Sequence, residues 1–97
     1  MHGVKPVVWS TTFVRALKRA ITRDPGLARR VERTLQQLSE DSFHPSLHTH
    51  KLKGQLAGAW ACTVDYQYRI LFEFVRNPES GEEEILLLTI GTHDEVY

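Results

Sequence analysis

The stretch ILLLTI at residues 85–90 is an uninterrupted apolar run, with a polar loop before it and residues 91–97 after it. A short apolar run bounded by turn signals is typical of a buried β-strand. Because neither face of this run is polar, we expect a central strand that is covered on both sides. The rest of the fold is predicted outward from this strand.

Two further strands are predicted immediately before the central one. In residues 60–64 and 68–74 apolar side chains alternate with other residues at a period of two, and residues 65–67 are short enough to be a turn. Residues 77–84 include a proline and a glycine, which is typical of a polar hairpin loop. The pattern therefore predicts antiparallel pairing along this part of the chain.

The N-terminal half has a different periodicity. Residues 4–9 are apolar and β-branched and indicate a first strand, in which Pro6 favours an edge position or the strand start. Apolar residues then recur at helical spacing over residues 10–23 and again over 24–39, and residues 40–47 form a loop. This order predicts an α+β domain in which a helical hairpin packs on a mostly antiparallel sheet of about four strands.

Size and composition indicate one soluble domain over residues 1–97. Hydrophobic residues make up 41% and charged residues 25% of the chain, which is ordinary for a globular protein. No apolar run approaches the length of a membrane span, and the N-terminus has no signal-peptide pattern. Cys62 is the single cysteine, so no intrachain disulfide can form. We therefore expect a cytoplasmic protein with no membrane partner.

Charge is distributed unevenly although the formal net charge is zero. Residues 1–53 carry ten Lys and Arg against four Asp and Glu, whereas residues 54–97 carry two against eight. Such asymmetry favours a basic face that meets an anionic partner. The alternative is that the helices simply display solvated Arg and Lys, and charge alone does not decide between the two.

One end of the predicted sheet gathers residues that could carry chemistry. Arg69 lies at the start of one strand and Gly91 at the end of the next, so a hairpin over residues 77–84 makes these two ends neighbours. His93 and Tyr97 would then meet Arg69 at this end. The acidic residues of the loop would project from the other end.

These residue types suit cleavage of RNA without a metal. Histidine fits proton transfer because its ordinary pKa is near neutrality, and arginine can grip two phosphate oxygens at once. Tyr97 could stack on a base, and Lys51 and Lys53 could hold the RNA backbone. Each residue also has a structural alternative: Arg69 pairs with Asp65 or Glu73, Tyr97 plugs the core, and the lysines are solvated.

A metal site is not predicted. His44 and His48 lie in a loop with no helix to align them, and His50 would point away from His48 if the segment is extended. Neither a cysteine nor enough carboxylates stand nearby to complete a ligand set. We accordingly expect no metal and no cofactor.

The chain contains the segments HKLKG at residues 50–54, YRILF at 68–72 and IGTHDEVY at 90–97. In order and approximate spacing these segments resemble those of RelE/ParE-superfamily toxins from bacterial type II toxin–antitoxin modules, especially the RelE and YafQ-like ribosome-dependent mRNA interferases. The order of predicted elements agrees over essentially the full length.

The resemblance implies a toxin that enters the ribosomal A site, cleaves the mRNA there and is neutralised by a cognate antitoxin in a hetero-oligomeric complex. His93 matches the C-terminal catalytic histidine of the YafQ-like branch and Tyr97 its terminal aromatic residue. His50 matches the histidine that opens the HKLKG segment, and Arg69 the arginine of the RelE-like strand. The chain departs from the YafQ-like pattern at Thr63 and Gln67, which stand where that branch has a histidine and an aspartate. It departs from the RelE-like pattern at Ala61 and Thr63, which stand where that branch has lysines.

The leading hypothesis is therefore a metal-independent endoribonuclease with His93, Arg69, Tyr97 and His50 at its active site. RNA would be bound by basic side chains of the HKLKG segment and of the second predicted helix, namely Lys51, Lys53, Arg29, Arg30 and Arg33. Two alternatives share the fold. One is a ParE-like toxin that inhibits DNA gyrase by protein contact, and the other is an inactive relic that retains antitoxin binding.

Overall fold

The structure is a computed structural model that describes residues 4–97. Its elements in chain order are β1 (Val7–Trp9), α1 (Thr11–Arg23), α2 (Leu27–Glu40), β2 (His50–Lys51), β3 (Trp60–Thr63), β4 (Tyr68–Arg76), β5 (Glu83–Thr92) and α3 (His93–Val96). Short helical turns at Pro45–Leu47 and Gly54–Leu56 precede β2 and β3.

The strands form a five-stranded sheet in the order β1-β5-β4-β3-β2. Only β1 pairs in parallel, with β5, and the other neighbours are antiparallel. The predicted α+β architecture with a mostly antiparallel sheet is confirmed. The additional strand is β2, in which His50 pairs with Ala61. Two residues are too few to produce a recognisable period, so sequence patterning could not find it.

The central position of β5 follows from its two strand neighbours, β1 and β4. The two faces of β5 are less completely buried than its apolar sequence suggested. Ile85 and Leu87 are fully buried beneath the helices, whereas Leu86 is only half-buried. Successive strand residues point to opposite faces. The face of β5 away from the helices is therefore covered only in part.

Both long helices pack on one face of the sheet and build the core with it. Their fully buried side chains Phe13, Leu27 and Leu38 meet Ile70 and Phe72 from β4. The amphipathic patterning of residues 10–23 and 24–39 predicted this arrangement.

The helix boundaries are set by hydrogen bonds. Ser10 caps α1, since its Oγ accepts the N–H of Phe13 at 3.0 Å. The prediction that Asp24 caps α2 and Pro25 is its first residue was wrong, because the helix begins at Leu27. The backbone N–H of Asp24 bonds the carbonyl of Ala20, which makes Asp24 the end of α1 instead.

The hairpin of β4 and β5 determines which residues share each end of the sheet. Arg76 pairs with Glu83 beside the loop, whereas Arg69 pairs with Gly91 at the opposite end. The acidic loop therefore lies far from Arg69, as the sequence predicted. No helix within residues 4–97 has the length and apolar character needed to span a bilayer.

Candidate functional site

The helix α3 folds back at the end of β5 and is held there by a capping box. Glu95 Oε1 accepts the N–H of Thr92 at 2.8 Å, while the Thr92 side chain caps the backbone of Glu95 in return. Arg23 of α1 lies 3.4 Å from the other Glu95 carboxylate oxygen. The hydrogen bond from the Thr92 N–H is the main reason that the pKa of Glu95 is lowered. The sequence patterning above did not predict this helix, although the spacing Thr-x-x-Glu is its signature.

Gly91 allows α3 to lie close against β5. A Cβ placed on this buried glycine would stand 3.0 Å from both Glu95 Cβ and Val96 Cγ1. Such distances are shorter than ordinary van der Waals contact, so a larger residue would push α3 outward. The glycine in the IGTHDEVY segment is therefore needed for close approach of the helix, and its own backbone conformation does not require it.

Tyr97 joins two histidines from different elements. Its ring centroid lies 4.5 Å from that of His93 in an edge-to-face arrangement, and its hydroxyl lies 3.5 Å from His50 Nε2. Tyr97 is 42% exposed, so it is not a buried plug. His93 and His50 are both exposed. The structure thus brings together three of the residues that were predicted to form the site.

The tautomer of His50 can be assigned from its second contact. His50 Nδ1 lies 2.9 Å from the backbone carbonyl of His48, which can only accept a hydrogen bond. Nδ1 therefore carries a proton, and in the neutral ring Nε2 is an acceptor toward which the Tyr97 hydroxyl donates. Burial raises the pKa of Tyr97, against the opposing effect of the nearby Arg69 charge. The phenol is therefore protonated at neutral pH and serves as a hydrogen-bond donor.

Arg69 is held by backbone carbonyls and not by a carboxylate. Its Nη1 donates to the carbonyl oxygens of Asp65 at 2.8 Å and Tyr68 at 3.1 Å. Within residues 4–97 its Nε and Nη2 have no hydrogen-bond partner. The alternative in which Arg69 pairs with the carboxylate of Asp65 or Glu73 does not occur in this structure. Its free edge remains available to an anionic ligand.

The β3 positions beside the site carry no proton-transferring group. Thr63 pairs with Arg69, and Ala61 pairs with His50. Cross-strand partners point to the same face of a sheet, so Thr63 and Ala61 lie on the face that holds the site. Because neither the Thr63 hydroxyl nor the Ala61 methyl group can exchange a proton near neutral pH, the candidate proton-transfer groups at this end of the sheet are His50 and His93.

The predicted RNA-binding arginines of α2 differ in their surroundings. Arg30 is engaged by two carboxylates, with Nε 2.7 Å from Asp65 and Nη2 bonded to Asp24. These contacts tie α2 to the β3–β4 turn and compete with any contact to phosphate. Arg29 and Arg33 are exposed and form no ion pair in the described part of the chain.

The two lysines of the HKLKG segment are separated from the site histidine. Lys51 pairs with Trp60 on β3, and its Nζ lies 5.6 Å from the Trp60 ring centre, on the face opposite His50. Lys53 is exposed. As for metals, no three His, Cys, Asp or Glu side chains of residues 4–97 are grouped closely enough to hold an ion.

Comparison with solved structures defines the class of fold. It is the fold of the RelE/YafQ-like toxins of toxin–antitoxin modules, so the resemblance drawn from the sequence segments is confirmed at the level of the fold. No protein-family model matches the chain, and no curated protein matches it.

Three solved structures illustrate the likeness. YafQ in the Escherichia coli DinJ–YafQ complex superposes with a TM-score of 0.75 at 15% identity, over 96% of this chain and 98% of that one. A metal-bound toxin from Helicobacter pylori gives 0.74 at 19%, over 96% and 99%. The YoeB/ParE toxin from Agrobacterium tumefaciens gives 0.73 at 15%, over 91% and 98%.

Proposed function

We propose that this protein is the toxin of a type II toxin–antitoxin module and a ribosome-dependent endoribonuclease that cleaves mRNA in the A site without a metal. One observation carries the proposal. Tyr97 lies between His93 and His50 and is close enough to Arg69 for the arginine charge to influence its pKa. Two imidazoles, a protonated phenol and a partly free guanidinium at one solvent-accessible end of a sheet are the groups that this reaction needs.

The reaction is an attack of the ribose 2′-oxygen on the adjacent phosphorus, followed by loss of the 5′-oxygen. A base removes the 2′-hydroxyl proton as the new P–O bond forms, and an acid protonates the departing 5′-oxygen as the old bond breaks. His93 acts as general acid or base, and His50, whose Nε2 faces the site, is the complementary proton-transfer group.

Charge that gathers on the phosphorane-like transition state is stabilised by Arg69. Because its Nη1 is anchored to backbone carbonyls, its remaining N–H groups keep a fixed direction and can donate to the equatorial phosphate oxygens. Tyr97 orients the substrate by donating a hydrogen bond or by stacking on a base.

Binding to the ribosome is assigned to basic side chains of α2 and of the HKLKG segment. Arg29 and Arg33 are the exposed, unpaired arginines of α2 within residues 4–97, and Lys51 and Lys53 follow the site histidine His50. Phosphate contacts dominate affinity for nucleic acids, so such side chains supply binding without sequence preference. The proposed place of action is the cytoplasm, where mRNA is translated.

The proposed protein partner is a cognate antitoxin, because the E. coli toxin of the same fold was solved in complex with DinJ. The test is genetic. Production of this protein should arrest growth, and clones from a library of the host genome that restore growth should encode a protein that co-purifies with it. Arrest that no host protein relieves would contradict the antitoxin assignment.

The nuclease assignment is tested by primer extension on mRNA from a reconstituted translation reaction. Wild-type protein should produce cuts at A-site codons only when ribosomes are present, and His93→Ala should reduce cutting by about 10²- to 10⁴-fold, the usual contribution of a general acid or base. His44→Asn is the matched control, since His44 is a histidine outside the site and asparagine can also cap the following turn.

Two results would contradict the assignment. If the mRNA stays intact at concentrations of the wild-type protein that still arrest growth, the gyrase-inhibiting alternative is favoured. Equal loss of cutting in His93→Ala and His44→Asn would show that His93 has no special role.

A further inference from the structure

An exposed aromatic cluster lies on the helix side of the sheet, behind the edge strand β2. Phe43 is 58% exposed, and its ring centroid lies 5.3 Å from Trp60 and 5.9 Å from Phe74, stacked on the latter at an interplanar angle of 27°. Lys51 Nζ stands over the Trp60 ring. We call these four side chains the Phe43 platform. None of them is used by the proposed cleavage chemistry.

The Phe43 platform is supported from beneath and open above. Trp60 and Phe74 are partly buried and pack against the main core, so they hold the Phe43 ring in place. Much of the Phe43 ring remains in contact with solvent. A preformed aromatic surface loses little conformational entropy when a flat ligand stacks on it.

The local charge favours an anionic ligand. Residues 42–64 contain two lysines and three histidines and neither an aspartate nor a glutamate. Of the acids next to this segment in sequence, Glu40 is bonded to Gln36, Asp65 is paired with Arg30, and Asp41 is exposed at the end of α2. Glu73 precedes Phe74 on β4 and therefore points to the opposite face.

We propose that the Phe43 platform is a base-stacking site for single-stranded RNA, with Lys51 holding the adjacent phosphate. A solvent-exposed ring beside a cation is the arrangement by which proteins bind single strands without sequence preference. A protein partner would be expected to require a broader apolar surface than one ring. Identifying the RNA as the cleaved mRNA rests on the function proposed above.

The position of β2 connects the Phe43 platform to the candidate active site. His50 and Lys51 are adjacent residues of this edge strand and point to opposite faces, one toward Tyr97 and the other over Trp60. Adjacent strand residues are separated by about 3.3 Å along the chain. A single strand that bends around the sheet edge can therefore occupy both places, so the platform would hold nucleotides that flank the scissile bond.

The test is fluorescence anisotropy with a fluorescein-labelled 2′-O-methyl RNA ten-mer of mixed sequence, which cannot be cleaved through its 2′-oxygen. Phe43→Leu keeps apolar bulk but removes the ring, and should weaken binding by about 5- to 150-fold, as loss of a stacking residue does. Phe43→Tyr keeps the ring and should bind as the wild type does. Trp9→Leu, on the opposite edge strand, is the ring-loss control and should also retain affinity.

The contribution of the lysine is measured separately. Lys51→Ala should reduce the slope of log affinity against log salt by about 0.7, the value for one phosphate contact on a single strand. Circular dichroism of Phe43→Leu should match that of the wild type, because the lost ring is largely outside the core.

Three outcomes would overturn the proposal. Phe43→Leu could bind the RNA with wild-type affinity, or Trp9→Leu could weaken RNA binding as much as Phe43→Leu does. The third is that Phe43→Leu loses binding to a protein partner while its affinity for RNA is unchanged. Stacking at Phe43 together with intact mRNA in the translation assay would support the Phe43 platform and refute the nuclease function. The two ideas therefore fail by different measurements.

Discussion

Replacing Gly91 by alanine tests whether the docking of α3 positions the site. The added Cβ would meet Glu95 Cβ and Val96 Cγ1 at 3.0 Å, and ordinary contact begins near 3.4 Å. Both contacts belong to α3, so the strain is relieved when this helix moves away from β5 by about 0.4 Å or more. His93 and Tyr97 lie on α3 and at its end, and they move with it.

The expected loss follows from the size of this shift. Misplacing catalytic groups by about 1 Å can cost 10²-fold in rate, so Gly91→Ala should reduce mRNA cleavage by about ten-fold. Overpacking of this kind also destabilises a fold by about 1–3 kcal/mol. Cleavage in the translation reaction and the urea midpoint of unfolding are measured on the same preparation.

Gly81→Ala separates the two effects. Gly81 has a φ of +76°, an added Cβ there would have nothing within 4 Å, and the residue lies in the loop at the far end of the β4–β5 hairpin. Its substitution should cost about 1–2 kcal/mol through backbone strain and leave cleavage unchanged. If Gly91→Ala cleaves mRNA as fast as Gly81→Ala, the position of α3 does not control the site and the reasoning is refuted.

Three further substitutions or titrations probe the same structure. Burial raises the pKa of the Cys62 thiol to about 12, so the folded protein should not react with a thiol reagent at pH 8. The free energy of unfolding should fall by about 1.4 kcal/mol per pH unit once the pH rises above the thiol pKa of the unfolded chain, near 8.5. Rapid labelling without denaturant would contradict the burial of Cys62. The lowered pKa of Glu95 means that its stabilisation of α3 is present above the unfolded value near 4.3 and is lost as pH falls through the folded one. A near-ultraviolet signal from Tyr97 should follow this acid transition, and Glu95→Gln should abolish it; an unchanged titration would show that the capping box does not hold the helix. Arg69→Lys keeps the charge but loses the planar donor set, and should slow cleavage by about 100-fold in single-turnover assays; wild-type rates would mean that a point charge suffices.

Periodicity along the chain was enough to predict most of the architecture. Alternation over residues 60–64 and 68–74 and helical spacing over 10–23 arise from local geometry, because side chains repeat every two residues in a strand and about every 3.6 in a helix. The polar loop over residues 77–84 similarly indicated a hairpin. From the hairpin alone, Arg69 and Gly91 could be expected at the same end of the sheet, where they are found.

Other features depend on contacts between residues distant in sequence. The strand β2 exists only because His50 and Lys51 pair with Ala61 and Trp60, and this pairing sends the two adjacent side chains to opposite faces. The engagement of Arg30 by Asp65 joins residues 35 positions apart. No local pattern encodes such contacts, since they require the helices and the sheet to be packed first.

The contrast has one physical origin. Hydrophobic spacing along a segment determines which of its faces is buried, so the α+β class, the helical hairpin and the hairpin strands follow from the amino-acid order. The register between strands, the close approach of α3 to Gly91 and the meeting of Tyr97 with His50 are decided when elements pack together. Packing brings together side chains that are far apart in the sequence. The residue types of the site could therefore be recognised from the sequence, whereas the geometry of the site depends on the folded structure.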